Sequence, residues 1–177
     1  VCCLTSFSFR HKNTTSNFVI LSFYSQKKMI EPFDDTYFMK KALQEAEIAF
    51  SKGEVPVGAV IVMQNRIIAR AHNLTETLND VTAHAEMQAF TAASDFLGGK
   101  YLKECTLYVT LEPCQMCAGA SYWTQLNKIV YGASELERGF TALNTKLHPK
   151  TNVVSGILEN ECSILLKRFF IEKRNLN

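Results

Sequence analysis

Two short motifs of this chain contain residue types that can bind zinc and a carboxylate that can move protons. His84-Ala85-Glu86 supplies an imidazole and a carboxylate, and Pro113-Cys114-Gln115-Met116-Cys117 supplies two thiols. One imidazole and two thiolates make three zinc ligands, which leave the fourth tetrahedral position free for water. Structural zinc sites usually close all four positions. The set therefore indicates a catalytic metal with His84, Cys114 and Cys117 as its ligands.

Glu86 is the candidate proton carrier of this site. Zinc lowers the pKa of a bound water toward about 7, so hydroxide forms near neutral pH. A carboxylate two residues after the histidine is expected to lie beside the metal and to act as general base and acid. A lone CxxC is also typical of redox dithiols and structural zinc knuckles. The upstream His-x-Glu, and the lack of a second CxxC in the sequence, favour the catalytic interpretation.

Both motifs are predicted to open helices. Helical patterns run over residues 83–97 and over residues 114–126, the second entered through Pro113. Cysteines at positions i and i+3 share one helix face, so both sulfurs can meet one ion. Helix N-termini also favour anions, which helps to hold thiolates. We therefore expect the first turns of two helices to hold the metal.

The rest of the pattern predicts an α/β fold with a partly parallel sheet, because strands alternate with helices. Residues 29–177 are predicted to form a single domain. The other expected elements are a helix over 34–53, a hairpin of strands 57–63 and 66–71, strands 106–111, 128–131 and 153–157, an irregular loop over 132–152, and a helix over 159–173.

The first 28 residues differ from the remainder. They are rich in Ser, Thr and Asn, they contain four basic residues and no acid, and the first methionine is Met29. We expect residues 1–28 to be a disordered or non-native extension. The net charge of the chain is +2, but without these four residues 15 basic residues face 17 acidic ones, a net of −2. Any RNA contact must then come from a local basic patch.

Hydropathy and cysteine usage predict a cytoplasmic protein. No apolar stretch of the sequence approaches the roughly 20 residues that a membrane-spanning helix needs, so we expect no membrane partner. Of the six cysteines, Cys114 and Cys117 are assigned to metal, and the others show no disulfide-framework spacing. Disulfides are rare in the reducing cytoplasm, which makes it the expected compartment.

Around these motifs the chain resembles the bacterial tRNA-specific adenosine deaminases of the cytidine deaminase-like superfamily, whose zinc signature is H-x-E…P-C-x-x-C. The resemblance covers essentially residue 29 to the C-terminus. It implies a three-layer α/β/α sandwich around a five-stranded mixed sheet, one Zn²⁺ per subunit and a homodimer. The matching stretches are GEVPVGAV at 53–60, AHN at 71–73, TAHAE at 82–86, LYVTLEPC at 107–114, CAGA at 117–120 and GIL at 156–158.

The resemblance also implies a reaction, the hydrolysis of the wobble adenosine of a tRNA anticodon to inosine with release of ammonia. The partner is then a tRNA anticodon stem-loop. By position, Glu86 matches the proton shuttle, and Asn73 matches an asparagine that contacts the flipped nucleoside. Val57 and Ala85 match wall and backbone contacts of the base pocket. The zinc ligands carried over are His84, Cys114 and Cys117.

The chain departs from the family pattern after Ala133. Residues 134–140 read SELERGF, with Glu135 at the usual aspartate position, and the loop before Val153 is several residues shorter. In the family this loop lies by the anticodon, so the departure bears on RNA specificity more than on the chemistry. Basic residues and aromatic candidates for base stacking follow from here to the C-terminus. These are Arg138, Lys146, His148 and Lys150 in the loop, Lys167, Arg168, Lys173 and Arg174 on the last helix, and the rings of Phe140 and Phe170.

Two other functions remain open from the sequence. Tyr122-Trp123 is a pair familiar from guanine deaminases of the same superfamily, although packing in a dimer interface also explains it. Together with the shortened loop and the net negative charge of residues 29–177, this pair supports a deaminase that acts on a free base or nucleoside, such as guanine or cytosine. The third hypothesis is a non-catalytic zinc scaffold that binds RNA, which would have no use for Glu86.

Overall fold

The computed structural model describes residues 33–175, so the predicted extension at 1–28 lies outside the described residues. Within the described range, no helix is both long enough and apolar enough to cross a membrane. The elements in chain order are α1 (Asp35–Ser51), β1 (Gly58–Met63), β2 (Arg66–His72), α2 (Ala85–Leu97), β3 (Thr106–Leu111), α3 (Gln115–Thr124), β4 (Lys128–Ala133), β5 (Asn152–Val154) and α4 (Glu159–Asn175).

The five strands form one mixed sheet in the order β2-β1-β3-β4-β5. β1 pairs antiparallel with β2 and with β3. β3 and β4 are parallel, as are β4 and β5. The predicted five-stranded mixed sheet is confirmed. The last strand ends at Val154 rather than near residue 157, because Gly156 turns the backbone with φ of +81° before α4.

Successive strand residues face two separate cores, as the period of two in a strand requires. Ile61 and Val109 point to one face of the sheet, where they pack with residues of α2 and α3. Val60 and Tyr108 point to the other face, where they pack with residues of α1 and α4. The molecule therefore has helices on both faces of the sheet, and the predicted three-layer α/β/α sandwich is confirmed.

The strand directions explain why α2 and α3 begin at the same place. β2 and β3 are both antiparallel to β1, so they run in the same direction and their carboxyl ends lie at one edge of the sheet. Three residues separate the end of β3 from the start of α3, and α2 starts after the loop 73–84 that follows β2. β1 begins at this same edge. In α/β sheets this edge is the usual position of a binding site.

The backbones of α1 and β1 are in close contact at Gly58, where β1 begins at that edge. A Cβ atom at Gly58 would lie 2.1 Å from the carbonyl oxygen of Ala42 and 2.3 Å from the backbone nitrogen of Ala46. Only glycine permits this approach. The backbone N–H of Gly58 donates to Oγ1 of Thr110 at 3.1 Å, so the start of β1 is tied to the end of β3.

Candidate active site and metal centre

The side chains of His84, Cys114 and Cys117 meet at this edge. The Nδ1 atom of His84 lies 3.6 Å from the Sγ atom of each cysteine, and the three ligand atoms all lie within 4.8 Å of one another. Tetrahedral zinc, with Zn–S bonds of about 2.3 Å and Zn–N bonds of about 2.0–2.1 Å, places such N and S atoms about 3.6 Å apart. The triad therefore has the spacing that a bound zinc ion requires.

His84 and Cys114 are the N-cap residues of α2 and α3. The prediction that they lie in the first turn is wrong by one position. Both have extended backbones, with ψ of 154° at His84 and 172° at Cys114, which turn their side chains off the helix axis toward each other. Their carbonyl oxygens accept the first helical hydrogen bonds, from the N–H groups of Gln88 at 3.1 Å and Ala118 at 2.9 Å. The two helix N-termini that meet here favour negative charge on the sulfurs.

The thiols and the imidazole of the triad are electrostatically coupled. A hydrogen bond from the Cys117 thiol, aided by one from His84, lowers the pKa of Cys114 to about 4 in spite of burial. The same hydrogen bond, with burial, raises the pKa of Cys117. The hydrogen bond to Cys114 also raises the pKa of His84. Cys114 is therefore a thiolate at neutral pH, and a cation in the triad would hold both sulfurs as thiolates.

Glu86 lies beside the triad without being part of it. Among residues 33–175, the group of His, Cys and carboxylate side chains close enough to share one ion consists of the three triad residues. Glu86 is 4% exposed, and burial raises the pKa of its carboxyl. A carboxyl group with a raised pKa can carry a proton near neutral pH. We call His84, Glu86, Cys114 and Cys117 the metal floor.

A cavity of about 460 Å³ opens over the metal floor, a size typical of small-ligand sites. Val57 and Asn73 line it, and the backbone N–H of Asn73 donates to the carbonyl oxygen of Val57 at 3.0 Å. The side chain of Ala85 does not line the cavity, because it is fully buried in the core between α2 and the sheet. The role predicted for Ala85 requires its backbone alone.

Glu54 is a residue of the site whose role the sequence analysis missed. Its side chain is fully buried, and its carboxylate accepts hydrogen bonds from Nδ2 of Asn73 at 3.1 Å and from the backbone N–H groups of Glu76 at 3.1 Å and Thr77 at 2.7 Å. Burial opposes ionisation, but the hydrogen bonds, led by that from Thr77, lower the pKa of Glu54. The signal was an acid four positions before the first residue of a buried strand, since a buried acid must have partners.

The outer side of the cavity is formed by the 134–151 loop and by α4. Arg138, Lys167 and Phe170 line it, and we call these three residues the outer wall. Of the eight basic residues predicted as RNA contacts, all of them within the described range, Arg138 and Lys167 are the two that line the cavity. Both side chains are exposed. The outer side of the cavity therefore carries two basic side chains, Arg138 and Lys167, beside the carboxylate of Glu135, and we call these two basic residues the cationic rim.

Glu112 holds the loop of the outer wall in place. Its carboxylate accepts hydrogen bonds from the backbone N–H groups of Glu135 at 3.1 Å and Thr141 at 3.0 Å. Gly139 packs against this carboxylate so closely that a Cβ would lie 2.6 Å from its carbon atom. Glu135 in turn accepts a hydrogen bond from the backbone N–H of Glu137 at 3.0 Å. The divergent loop is thus anchored to the residue before the cysteine motif.

The aromatic predictions have different outcomes. Phe140 is 9% exposed, and its ring packs 6.0 Å from that of Tyr131 in the core, so the prediction that it stacks on a base is wrong. Phe170 is 46% exposed and lines the cavity. Tyr122 and Trp123 do not line the cavity, and Trp123 is 77% exposed on α3. Their position gives no support to a free-base pocket.

Comparisons with known proteins identify the family of this chain. The sequence model of the MafB19-like deaminase family matches residues 33–176. The chain is 47% identical to a tRNA-specific adenosine deaminase of Bacillus subtilis (strain 168) over 146 residues, which are 79% of this chain and 91% of that protein. It is 46% identical to a tRNA-specific adenosine deaminase of Aquifex aeolicus (strain VF5), over 78% of this chain and 95% of that protein.

A solved structure from a study of A-to-I editing by tRNA:A34 deaminases at the wobble position is also similar. It superposes with a TM-score of 0.68 at 42% identity, and the match covers 74% of this chain and 99% of that chain. The fold therefore agrees with the predicted cytidine deaminase-like architecture. On these matches in sequence and in structure, the chain belongs to the family of the tRNA-specific adenosine deaminases.

Proposed function

We propose that this protein hydrolyses the wobble adenosine of a tRNA anticodon to inosine and releases ammonia. The observation that carries the proposal is the 3.6 Å spacing of the His84, Cys114 and Cys117 ligand atoms, with buried Glu86 beside them at the floor of the cavity. The family to which the chain belongs supports the substrate, since its relatives are named tRNA-specific adenosine deaminases.

The proposed cofactor is one Zn²⁺ per subunit, held by His84, Cys114 and Cys117. One nitrogen and two sulfurs suit zinc better than the hard cations, which take oxygen ligands. When bound, the ion supplies a water nucleophile that is activated at neutral pH. The described residues offer the ion three ligands, which is the ligand count of a catalytic site rather than a closed structural one.

Glu86 performs the proton transfers of the proposed reaction. Its buried carboxylate takes a proton from the attacking water as the oxygen bonds to C6 of the adenine ring, and it delivers that proton to N1 as the C6=N1 double bond opens. Glu86 then moves the second proton of the water from the C6 hydroxyl to the amine, so that the C6–N6 bond breaks, C6=O forms and ammonia departs. Burial raises the pKa of Glu86, which keeps a proton on the carboxyl between the two steps rather than losing it to solvent.

Substrate binding uses the walls of the cavity. The target base has to leave its stack to reach the metal floor. We propose that Val57 contacts the face of the flipped base, that the backbone of Ala85 contacts its edge, and that Asn73 hydrogen-bonds the nucleoside. Arg138 and Lys167 would then meet phosphate groups of the anticodon loop, because they supply positive charge at the mouth of the cavity.

The proposal includes a homodimer and a single deaminase domain over residues 29–177 in the cytoplasm. Trp123 supports the homodimer, because it is 77% exposed on α3, and exposed aromatic residues are enriched in protein interfaces. The ring of neighbouring Tyr122 packs 5.7 Å from that of Trp123 and 5.6 Å from that of His148. Multi-angle light scattering of the protein and of Trp123→Glu tests this part. A dimer for the first and a monomer for the second are expected, and a monomeric wild-type protein would contradict it.

The decisive experiment compares substrates. Zinc-loaded protein is incubated with an anticodon stem-loop that has adenosine at the wobble position, with the same stem-loop carrying guanosine there, and with guanine, cytosine and cytidine. We expect ammonia and inosine from the adenosine stem-loop and ammonia from none of the others. Ammonia from the free bases or cytidine alone would replace the proposal by the free-base alternative, and zinc binding without any turnover would favour the scaffold.

A further inference from the structure

We infer that Glu54 is a positioning residue, which orients the side-chain amide of Asn73 so that its carbonyl oxygen faces the substrate. The inference rests on the proposed deamination at the same site. Glu54 lies too deep to touch a substrate, since it is fully buried beneath the cavity wall. It does not line the cavity, whereas Asn73 and Thr75 do. Any effect of Glu54 on the reaction must therefore pass through its neighbours.

The hydrogen bonds to Glu54 decide which end of the Asn73 amide points inward. An ionised carboxylate only accepts, so the Nδ2 group of Asn73 must face it, at 3.1 Å. Nδ2 also donates to Oγ1 of Thr75 at 2.9 Å, and that hydroxyl donates to the same carboxylate oxygen at 3.3 Å. The three side chains form a closed ring of hydrogen bonds.

Both hydrogen bonds that Asn73 makes within the ring leave from Nδ2, the donor end of its amide. The carbonyl oxygen Oδ1 is the end that remains for a substrate, and it can only accept a hydrogen bond. A flip of the amide would put Oδ1 against the Glu54 carboxylate, two acceptors in a buried place, which is strongly unfavourable. Glu54 thus determines which end of the Asn73 amide faces the cavity, as well as where the side chain lies.

Glu54 also fixes the backbone on which this ring is built. The N–H groups of Glu76 and Thr77 donate to its two carboxylate oxygens, which holds the loop after β2 against the start of β1. Glu112 anchors the loop on the other side of the cavity in the same way, through the N–H groups of Glu135 and Thr141. No hydrogen bond joins Glu112 to Asn73 in the described part of the chain, so Glu112 is a matched control.

The test exchanges the carboxylate of position 54 and the amide of position 73. In the holoenzyme, Glu54→Gln and Asn73→Asp are each expected to lower kcat/KM for the adenosine stem-loop by about 10- to 100-fold, the size expected from one lost charged hydrogen bond. The double variant again places one amide beside one carboxylate, but the amide is now at position 54 and the carboxylate at position 73. Its kcat/KM is expected to exceed that of Asn73→Asp by more than about threefold, beyond the scatter of independent pairs.

A role for Glu54 that does not pass through Asn73 predicts a different result, because two independent losses multiply. A double variant no better than about threefold above Asn73→Asp overturns the inference. In the control pair, Glu112→Gln combined with Asn73→Asp is expected to show multiplied losses, and an equal recovery there would also overturn it. If Glu54→Gln does not fold, the pair Glu54→Asp and Asn73→Gln exchanges side-chain length instead, under the same criterion.

Failure of the inference and failure of the proposed function give different results. A wild-type protein that releases no ammonia from the stem-loop rejects the proposed function. The same exchange is then scored by Tm, where a double variant that melts above Asn73→Asp supports the positioning role and one that melts at or below it rejects the role. An active wild-type protein with multiplied losses rejects the positioning role alone.

Discussion

The metal floor and the outer wall of the cavity are built in opposite ways. The metal floor comes from two short motifs at helix N-termini, and its carboxylate and Cys117 are buried. The outer wall joins Arg138 of an irregular loop to two residues of α4, and all three side chains are exposed. The groups proposed for the chemistry therefore come from local structure at two helix starts, whereas the surface proposed to meet the rest of the substrate is assembled from distant segments.

The two regions also differ in charge. The metal floor places the thiolate of Cys114 near the buried carboxyl group of Glu86. This arrangement favours the binding of a cation. The outer wall presents Arg138 and Lys167, although residues 29–177 carry a net charge of −2. A local cationic rim on an acidic body suits a polyanion that is bound at one place. The following substitutions therefore separate loss of chemistry from loss of substrate binding.

The largest effect is expected from the ligands of the metal floor. His84→Ala and Cys114→Ala should lose the metal, reduce turnover to background and lower Tm, because metal binding stabilises the folded state. Metal content by plasma mass spectrometry, with turnover and Tm, checks this. Cys105→Ala is the matched control, since Cys105 is a buried thiol outside the triad, and it should keep one zinc per chain. Full zinc retention in both ligand variants would contradict the assignment.

Glu86→Gln is expected to lower kcat by about 10²- to 10⁴-fold, the range of general acid–base catalysis. Glutamine keeps the shape of the side chain but cannot take the proton. Zinc content and Tm should remain near those of the wild-type protein, because Glu86 lies outside the triad. Glu47→Gln, on the exposed face of α1, is the control and should leave kcat unchanged. A wild-type kcat in Glu86→Gln would remove Glu86 from the mechanism.

The metal floor could be predicted almost completely from the sequence. Two patterns of three and five residues predict its side chains, and the strand-to-helix junctions follow from β-branched runs and Pro113. The remaining error was one helical position, because N-cap residues have extended backbones that periodicity does not reveal. The sheet topology explains why these side chains meet. β2 and β3 run in the same direction on either side of β1, so the helices that follow them both start at one edge of the sheet.

The walls could not be predicted in the same way. Phe140 and Phe170 look alike in the sequence, but the first is buried against Tyr131 and the second is half exposed. Whether each ring is buried depends on how the 134–151 loop folds, and the loop sequence has no hydrophobic periodicity from which its fold could be predicted. It is held by Glu112 through backbone N–H groups far along the chain. The role of Glu54 was missed for the same reason, because its partners lie some 20 residues away.

Phe140→Ala and Phe170→Ala test this difference directly. Loss of the buried Phe140 ring is expected to cost about 3–5 kcal/mol in the free energy of unfolding. Phe170→Ala should leave stability within about 0.5 kcal/mol, but should raise KM for the stem-loop by about 5- to 100-fold, the loss expected from one stacked base. Denaturant unfolding and steady-state kinetics measure both quantities. An unchanged KM in Phe170→Ala would take Phe170 out of the binding surface.

Lys167→Ala should have the smallest effect, and it tests whether the outer wall binds phosphate. Loss of one phosphate contact is expected to raise KM a few-fold at low salt and to reduce the slope of log KM against log salt by about 0.7, the value for one contact on a single strand. Lys40→Ala removes an exposed lysine of α1 that does not line the cavity, so its slope should match the wild-type slope. A side chain that is merely solvated gives equal slopes in both variants. If instead the slope falls in Lys167→Ala alone while kcat is kept, the outer wall carries substrate affinity and the metal floor carries the chemistry.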